Sequence, residues 1–200
     1  MIELLKPTYA VASFGNIDPT VLQEEHPHIK AVTHDVDGYL MSYRDGIVPE
    51  AHMDVIKKIH ENNLLQAIIT NASSEQRLER VIAIADNVRE VIGLAEFPVV
   101  ASAAMPSYKR KPHPSMFRAA AKALGVELSE ICHGGDQILR DVLGANRAGL
   151  GATIVTPRRG NDDHIGTRVL LRPLERLARV SVNLPVLNSG FSPAFRKHDC

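Results

Sequence analysis

Residues 29–40 read "IKAVTHDVDGYL", an apolar segment that ends in two carboxylates, Asp35 and Asp37, just before Gly38. The first eight residues read as a buried central strand. Residues i and i+2 of an extended chain point to the same side, so Asp35 and Asp37 converge on one cation or one phosphorus atom. A turn is the plain alternative, because Asp-Gly tolerates a sharp reversal and Asp commonly stands where a strand stops. The surrounding chain separates the two readings.

Outward from that segment, apolar runs of strand length alternate with stretches of helical period. This is the pattern of βα units around a mostly parallel sheet, a Rossmann-like α/β fold flanked by helices. Residues 49–63 open with Pro49 and place Val55, Ile56 and Ile59 on one helical face, and "LLQAIIT" after them is a second buried strand. "SSEQRLERVIAIA" begins with a capping-box spacing, Ser73 to Gln76, and carries Leu78, Val81, Ile82 and Ala85 on one side. "PVVAS", "SEICHGG" and "GATIVTP" read as further strands, and "HPSMFRAAAKALG" as a helix closed by Gly125. In open parallel sheets ligands bind beyond the carboxyl ends of the strands. Asp35 and Asp37, Thr70 and Asn71, and Gly135 and Asp136 each follow an apolar strand at that edge. Residues 1–30 read as a polar lead-in.

The 200 residues, 44% hydrophobic and 23% charged, suffice for one domain over 1–180, with a loosely ordered tail over 181–200. Cys132 and Cys200 match neither a disulfide framework nor a metal pair and point to a reducing compartment. Met1 to Leu5 is too short for a secretory signal, and no later apolar run approaches a bilayer span, so a cytoplasmic protein is expected. No nucleic-acid partner is expected. The formal net charge of zero hides an asymmetry: residues 1–100 carry 8 Lys/Arg against 15 Asp/Glu, and residues 101–200 carry 15 against 8. That division permits a cationic face for an anionic partner.

Four motifs, in order and each at a predicted strand end, resemble those of the haloacid-dehalogenase-like (HAD) phosphohydrolases: "DVDG" at 35–38, Thr70 after "LLQAII", Lys111 in "KRKPHPSMF", and "GGDQILRD" at 134–141. Further stretches, "LLKP", "SFGNID", "GGDQILRDVLGANRAG", "TIVTP" and "ERLAR", resemble the phosphatidylglycerophosphatase-like group, over roughly residues 4–179. The resemblance implies hydrolysis of a phosphomonoester, with phosphatidylglycerophosphate as its finest expression. A HAD phosphatase for a soluble sugar, nucleotide or phosphoprotein is the second expectation, and a non-catalytic Rossmann-like binding protein the third.

The resemblance also implies roles. Asp35 is the nucleophile that forms an aspartyl-phosphate, and Asp37 is the general acid and then the base. Thr70, Asn71 and Lys111 bind phosphoryl oxygens. Mg²⁺ is held by Asp35, the backbone carbonyl of Asp37 and Asp136, with Asp141 orienting the metal's waters or Lys111 from behind; capping is the alternative for Asp141. Lys111 is chosen over Lys109 and Arg110 because it directly precedes Pro112, which leaves the other two as a solvated basic edge or a substrate rim. The family usually has a small residue where Tyr39 stands, so the phenol is expected to narrow the entrance or to contact a head group.

The scattered histidines lack zinc-ligand spacing, and His34 and His133, inside predicted strands, read as packing residues. The intervals Asp37–Thr70 and Thr70–Lys111 are filled by predicted helices and strands and leave no room for a cap domain, which predicts an open site suited to large or membrane-borne substrates. Residues 169–180, "VLLRPLERLARV", place Leu170, Leu174, Leu177 and Val180 along one side, with Arg172, Arg176 and Arg179 near the other. That arrangement suggests a short interfacial helix in weak contact with the anionic inner face of a membrane, against the alternative of a helix packed on the sheet.

Overall fold

Aliphatic side chains alternate to both faces of each central strand, so the strands must be covered on both sides, which a parallel sheet between helices achieves. The computed structural model describes residues 2–43, 46–105, 109–158 and 171–182. Among these residues six strands, β1 (Tyr9–Ala10), β2 (Ala31–His34), β3 (Leu65–Thr70), β4 (Val99–Ala101), β5 (Ile131–Gly135) and β6 (Ala152–Val155), form one sheet in the order β1-β6-β5-β2-β3-β4. Every pairing is parallel. The helices are α1 (Pro19–Glu25), α2 (Glu50–Glu61), α3 (Glu75–Ile92), α4 (Ser115–Leu124), α5 (Leu143–Ala148) and α6 (Arg172–Ser181).

Successive residues of β3 serve opposite faces. Ile68 joins a core with Ile56 and Ile59 of α2 and Val81, Ile84 and Val88 of α3. Ile69 joins Met116, Phe117 and Ala120 of α4 and Ala145 of α5 on the other face. Truncating a fully buried ring such as Phe117 to Ala costs about 3–5 kcal/mol, so both layers are needed to hold the sheet.

Strand order decides where function collects. From β2 the chain proceeds to β3 and β4 on one side, then returns to β5 and β6 on the other. The switch point lies between β2 and β5, whose registers pair Thr33 with His133 and His34 with Gly134. Crossovers leaving in opposite directions open a crevice there. Asp35 leaves β2 and Asp136 leaves β5 into that crevice.

The predicted elements over residues 29–157 are all present with shorter or shifted ends. Helix α3 is capped by Ser74, whose Oγ accepts from Arg77 N at 3.3 Å, rather than by Ser73. It runs on to Ile92 and stops at Gly93 in the left-handed region, φ 78°. Between Asp37 and Thr70 the described residues form only α2 and β3. Between Thr70 and Lys111 they form α3, β4 and a 3₁₀ turn over Ser102–Ala104, so no cap domain stands among them.

The lead-in is structured where a bare polar segment was expected. It contains a 3₁₀ turn at Ile2–Leu5, β1 and α1, and the buried Tyr9 donates its hydroxyl to Glu25 Oε2 at 2.7 Å.

Helix α6 corrects the interfacial-helix expectation in part. Its buried residues are Glu175 and Ala178. Glu175 accepts from the backbone N–H groups of Ile138 and of Leu139, the latter at 3.2 Å. Arg179 donates to the carbonyls of Asp136 at 2.7 Å and Thr156 at 3.0 Å. Arg172 lies 3.6 Å from Asp136 Oδ2. Two of the three arginines assigned to a membrane face therefore turn toward the sheet, because buried carbonyls and a carboxylate there need cationic partners. Leu174, Leu177 and Val180 are 47%, 63% and 73% exposed on the opposite side. Leu170 and the tail over 183–200 lie outside the described residues.

Candidate active site

Lys111 organises the crevice. Its Nζ lies 2.6 Å from Asp35 Oδ1 and 2.6 Å from Asp141 Oδ1, and all three side chains are buried. The amide of Asn71 fixes Lys111 through the backbone, accepting from Lys111 N at 2.7 Å and donating to Lys111 O at 3.2 Å. Asn71 was expected to bind phosphoryl oxygens; each end of its amide makes one hydrogen bond to the Lys111 backbone, which leaves one N–H and one lone pair. Thr70 remains at the floor of the crevice, where its hydroxyl accepts from Ala72 N at 3.3 Å.

Two glycines make close approaches possible, one for Asp141 and one for Tyr39. A side chain at Gly135 would collide with the Asp141 carboxylate, and one at Gly134 would collide with the ring of Tyr39. "GGD" is thus a packing requirement as well as a strand end. Tyr39 does not line the crevice, contrary to the expectation of a narrowed entrance. It is 1% exposed and packs edge-on against Phe14, ring centroids 5.0 Å apart, because the sharp turn after Asp37 directs the phenol into the core. Gly38, at φ 91°, makes that turn possible.

A buried relay extends behind the carboxylates. Gln137 N donates to Asp141 Oδ2 at 3.0 Å, His133 Nε2 lies 3.4 Å from Asp141 Oδ1, and His133 Nδ1 lies 2.9 Å from Thr33 Oγ1. These partners assign a neutral ring protonated at Nε2, with the Thr33 hydroxyl donating to Nδ1. Burial keeps the His133 imidazole below its ordinary pKa, in agreement with the neutral form.

The two carboxylates that share Lys111 titrate in opposite directions. Burial pushes Asp35 up to about 7; Lys111 opposes this, and Asp141 and Asp136 reinforce it. Burial also works against an ionised Asp141, yet Lys111 and His133 outweigh it and hold that carboxyl well below the usual range. The asymmetry follows from the hydrogen bonds: Asp141 also accepts from His133 and a backbone N–H, whereas Asp35 has the ammonium. On Lys111 burial pulls the pKa down, and Asp141 and Asp35 more than offset it.

Asp136, fully buried, completes a set of three carboxylates with Asp35 and Asp141, whose oxygens lie within 4.8 Å of one another. Burial and Asp141 raise its pKa against the opposing pull of Arg158. Arg158 Nη1 stands between Asp136 Oδ2 at 3.1 Å and the carbonyl of Asp37 at 2.9 Å. Two of the three oxygen donors that the resemblance assigned to Mg²⁺, the Asp37 carbonyl and Asp136, are thus held by Arg158, and the third, Asp35, is held by Lys111. A hard divalent cation matches this donor set of carboxylate and carbonyl oxygens. The Asp37 carboxylate itself is paired with Arg77, whose guanidinium lies 5.0 Å from the centroid of the Tyr43 ring.

Asp35, Asp37, Thr70, Asn71, Arg77, Lys111, Asp141 and Arg158 line one pocket of about 430 Å³, together with Tyr43, Ser73, Arg110, Gln137 and Arg140; Asp136 and His133 are not among its lining residues. Arg77, Arg158 and Arg140 escaped the sequence reading. Arg77 sits on the first turn of α3, where its periodicity resembles that of any solvated helix residue, and Arg158 follows β6 without a local motif. His133 is buried as expected, but it touches Asp141, a contact that only the strand register reveals.

The family model for haloacid dehalogenase-like hydrolases matches residues 8–149. The chain belongs to that family. Among curated proteins it is 31% identical over 114 residues to 5-amino-6-(5-phospho-D-ribitylamino)uracil phosphatase of Escherichia coli, covering 57% of this chain and 42% of that protein. It is 40% identical over 75 residues to glyceraldehyde 3-phosphate phosphatase of Methanopyrus kandleri, covering 34% of this chain and 31% of that protein. The chain thus spans less than half the length of these two relatives. Among solved structures, D,D-heptose bisphosphate phosphatase from B. bronchiseptica, complexed with magnesium and phosphate, shares the fold at TM-score 0.52 and 22% identity, covering 64% of this chain and 80% of that one. The four motifs at 35–38, 70, 111 and 134–141 all fall within the matched region. No helix among the described residues is long and apolar enough to cross a membrane.

Proposed function

We propose that this HAD-family chain is a Mg²⁺-dependent phosphomonoester hydrolase that works through an aspartyl-phosphate on Asp35. The observation that carries the reading is the buried cluster of Lys111 with Asp35 and Asp141, beside Asp136, at the switch point of the sheet. An Asp35 oxygen attacks phosphorus, the ester P–O bond breaks, and the leaving alkoxide takes a proton from Asp37. Water then attacks the phosphorus of the acyl phosphate and gives its proton to Asp37, which releases phosphate and restores Asp35. Asp37 reaches this role once its pair with Arg77 opens. Lys111 and the Thr70 hydroxyl face the equatorial phosphoryl oxygens and stabilise charge there. Mg²⁺, when bound by Asp35, Asp136 and the Asp37 carbonyl, neutralises charge on the phosphoryl group. Asp141 acts behind this set by orienting Lys111.

A small soluble phosphate ester is the substrate class the relatives favour, since both curated ones are named for phosphorylated small molecules. A phospholipid head group is the second reading. The open pocket and the exposed Leu174, Leu177 and Val180 on α6 favour it. It has lost the support of Arg172 and Arg179.

Asp35→Asn tests the central assignment, because the amide keeps the shape but is a very poor nucleophile. Turnover of a chromogenic phosphomonoester under saturating Mg²⁺ is expected to fall at least about a thousandfold with the fold intact. Activity retained at the wild-type level would remove Asp35 as the nucleophile.

A further inference from the structure

Among the described residues five cationic side chains line the pocket, and three of them are already paired. Lys111 holds Asp35 and Asp141, Arg77 holds Asp37, and Arg158 holds Asp136. The other two, Arg110 and Arg140, make no side-chain hydrogen bond or ion pair among the described residues, yet both line the pocket. They approach it from different elements. Arg110 precedes Lys111 on the loop that Asn71 clamps, and Arg140 precedes Asp141 in the π-helical turn Ile138–Val142 that leaves β5. Their backbones are therefore tied to the two residues that fix the reacting end of the site.

We propose that the pocket takes a phosphomonoester bearing a second anionic phosphate, monoester or diester, and that Arg110 and Arg140 hold this second group. The inference rests on the phosphomonoester reading above and deepens it. Lys111 and the bound cation suffice to neutralise the phosphoryl group being transferred. Two further guanidinium groups at the same pocket provide planar, paired N–H donors that match a phosphate oxygen pair better than water does. A neutral substrate tail would leave both charges facing apolar or hydroxyl groups and gain nothing from them. A soluble bisphosphate and a phosphodiester-linked lipid head group present the same chemistry, so the two sources share one recognition site.

The test uses the Asp35→Asn chain, which is expected to bind without turnover, in Mg²⁺ buffer with isothermal titration calorimetry. Glycerol phosphate and glycerol bisphosphate differ only in the second phosphate, and the bisphosphate is expected to bind about tenfold tighter. Adding Arg110→Gln and Arg140→Gln together is expected to erase that margin. Equal affinities in the parent chain, absence of binding by both probes, or an equal loss for both on the double substitution would overturn the second-anion site. Monomeric short-chain phosphatidylglycerophosphate forms the lipid arm. Binding tighter than glycerol bisphosphate names a lipid head group as the source, and weaker binding names a soluble bisphosphate. Failure here is separable from failure of the enzyme assignment, which is struck only if the unmodified chain hydrolyses no phosphomonoester.

Discussion

Charge at single residues dominates this site, and its consequences are measurable. With burial the largest cause, Asp35 has a folded pKa of about 7, above the value near 4 of an unfolded aspartate. A raised pKa means that its contribution to folding is fully present below the unfolded value and is lost as pH rises through about 7. Asp141, shifted the other way, loses its contribution only under stronger acid and stays constant across that window. Asp35→Asn in metal-free buffer is therefore expected to melt higher than wild type by a margin that grows from about pH 5 to about pH 8. A margin that stays flat or shrinks with pH contradicts the raised carboxyl. Arg158 offers a second residue-scale test. Its Nη1 lies against Asp136 Oδ2 and the Asp37 carbonyl, so a divalent cation must displace it to use those oxygens. Arg158→Gln is expected to tighten Mg²⁺ binding about fivefold, as the loss of an ion pair worth about 1 kcal/mol implies. The readout is Mg²⁺-induced thermal stabilisation without substrate, and an unchanged Mg²⁺ affinity would show that Arg158 does not compete.

Helix α6 supports the segment that follows β5. Glu175 caps the π-helical turn Ile138–Val142 by accepting from Ile138 N and Leu139 N, and Arg179 fastens the carbonyls of Asp136 and Thr156. Helix starts leave N–H groups without intrahelical partners, and here a neighbouring helix supplies the acceptor. Glu175→Ala would leave two N–H groups of that turn unsatisfied, with an expected loss of about 2 kcal/mol. A lower urea midpoint at unchanged slope measures it, and Glu175→Gln is expected to recover part because its amide oxygen still accepts. An unchanged midpoint for the alanine variant would mean that the cap contributes nothing. The exposed Leu174, Leu177 and Val180 belong to the other side of the same helix, so the residues that brace the site and those that remain apolar and outward are divided by helical period alone.

Over the whole molecule, sheet order turns distant segments into one site. Asp35 and Asp136 are separated by about a hundred residues, yet β2 and β5 are neighbours and place both at one edge. Lys111 arrives from a loop between β4 and α4, and Asn71 at the end of β3 receives it. The described residues between the motifs form only helices, strands and turns of this one layered fold and add no domain over the crevice.

The sequence by itself determined the strand–helix alternation, the parallel sheet and the order of the four motifs. Each depends on local periodicity or on strand ends that carry Asp, Thr and Gly, and such signals are present in consecutive residues. The two-residue β1 was illegible because so short a segment has no periodicity; its place comes from pairing with β6. Tertiary structure alone decided the partners. Asn71 carries an amide suited to phosphate, and its position beside the Lys111 backbone adds two hydrogen bonds that hold that loop. Tyr39 adjoins Asp37 in sequence, but Gly134 across the strand pair leaves a space that takes its ring into the core. His133 becomes part of the Asp141 relay through register, and Arg77, Arg158 and Arg140 enter the site from helix or loop positions whose local pattern is that of ordinary surface residues. Side-chain chemistry is written locally, but the direction in which a charge is satisfied depends on which other elements fold against it.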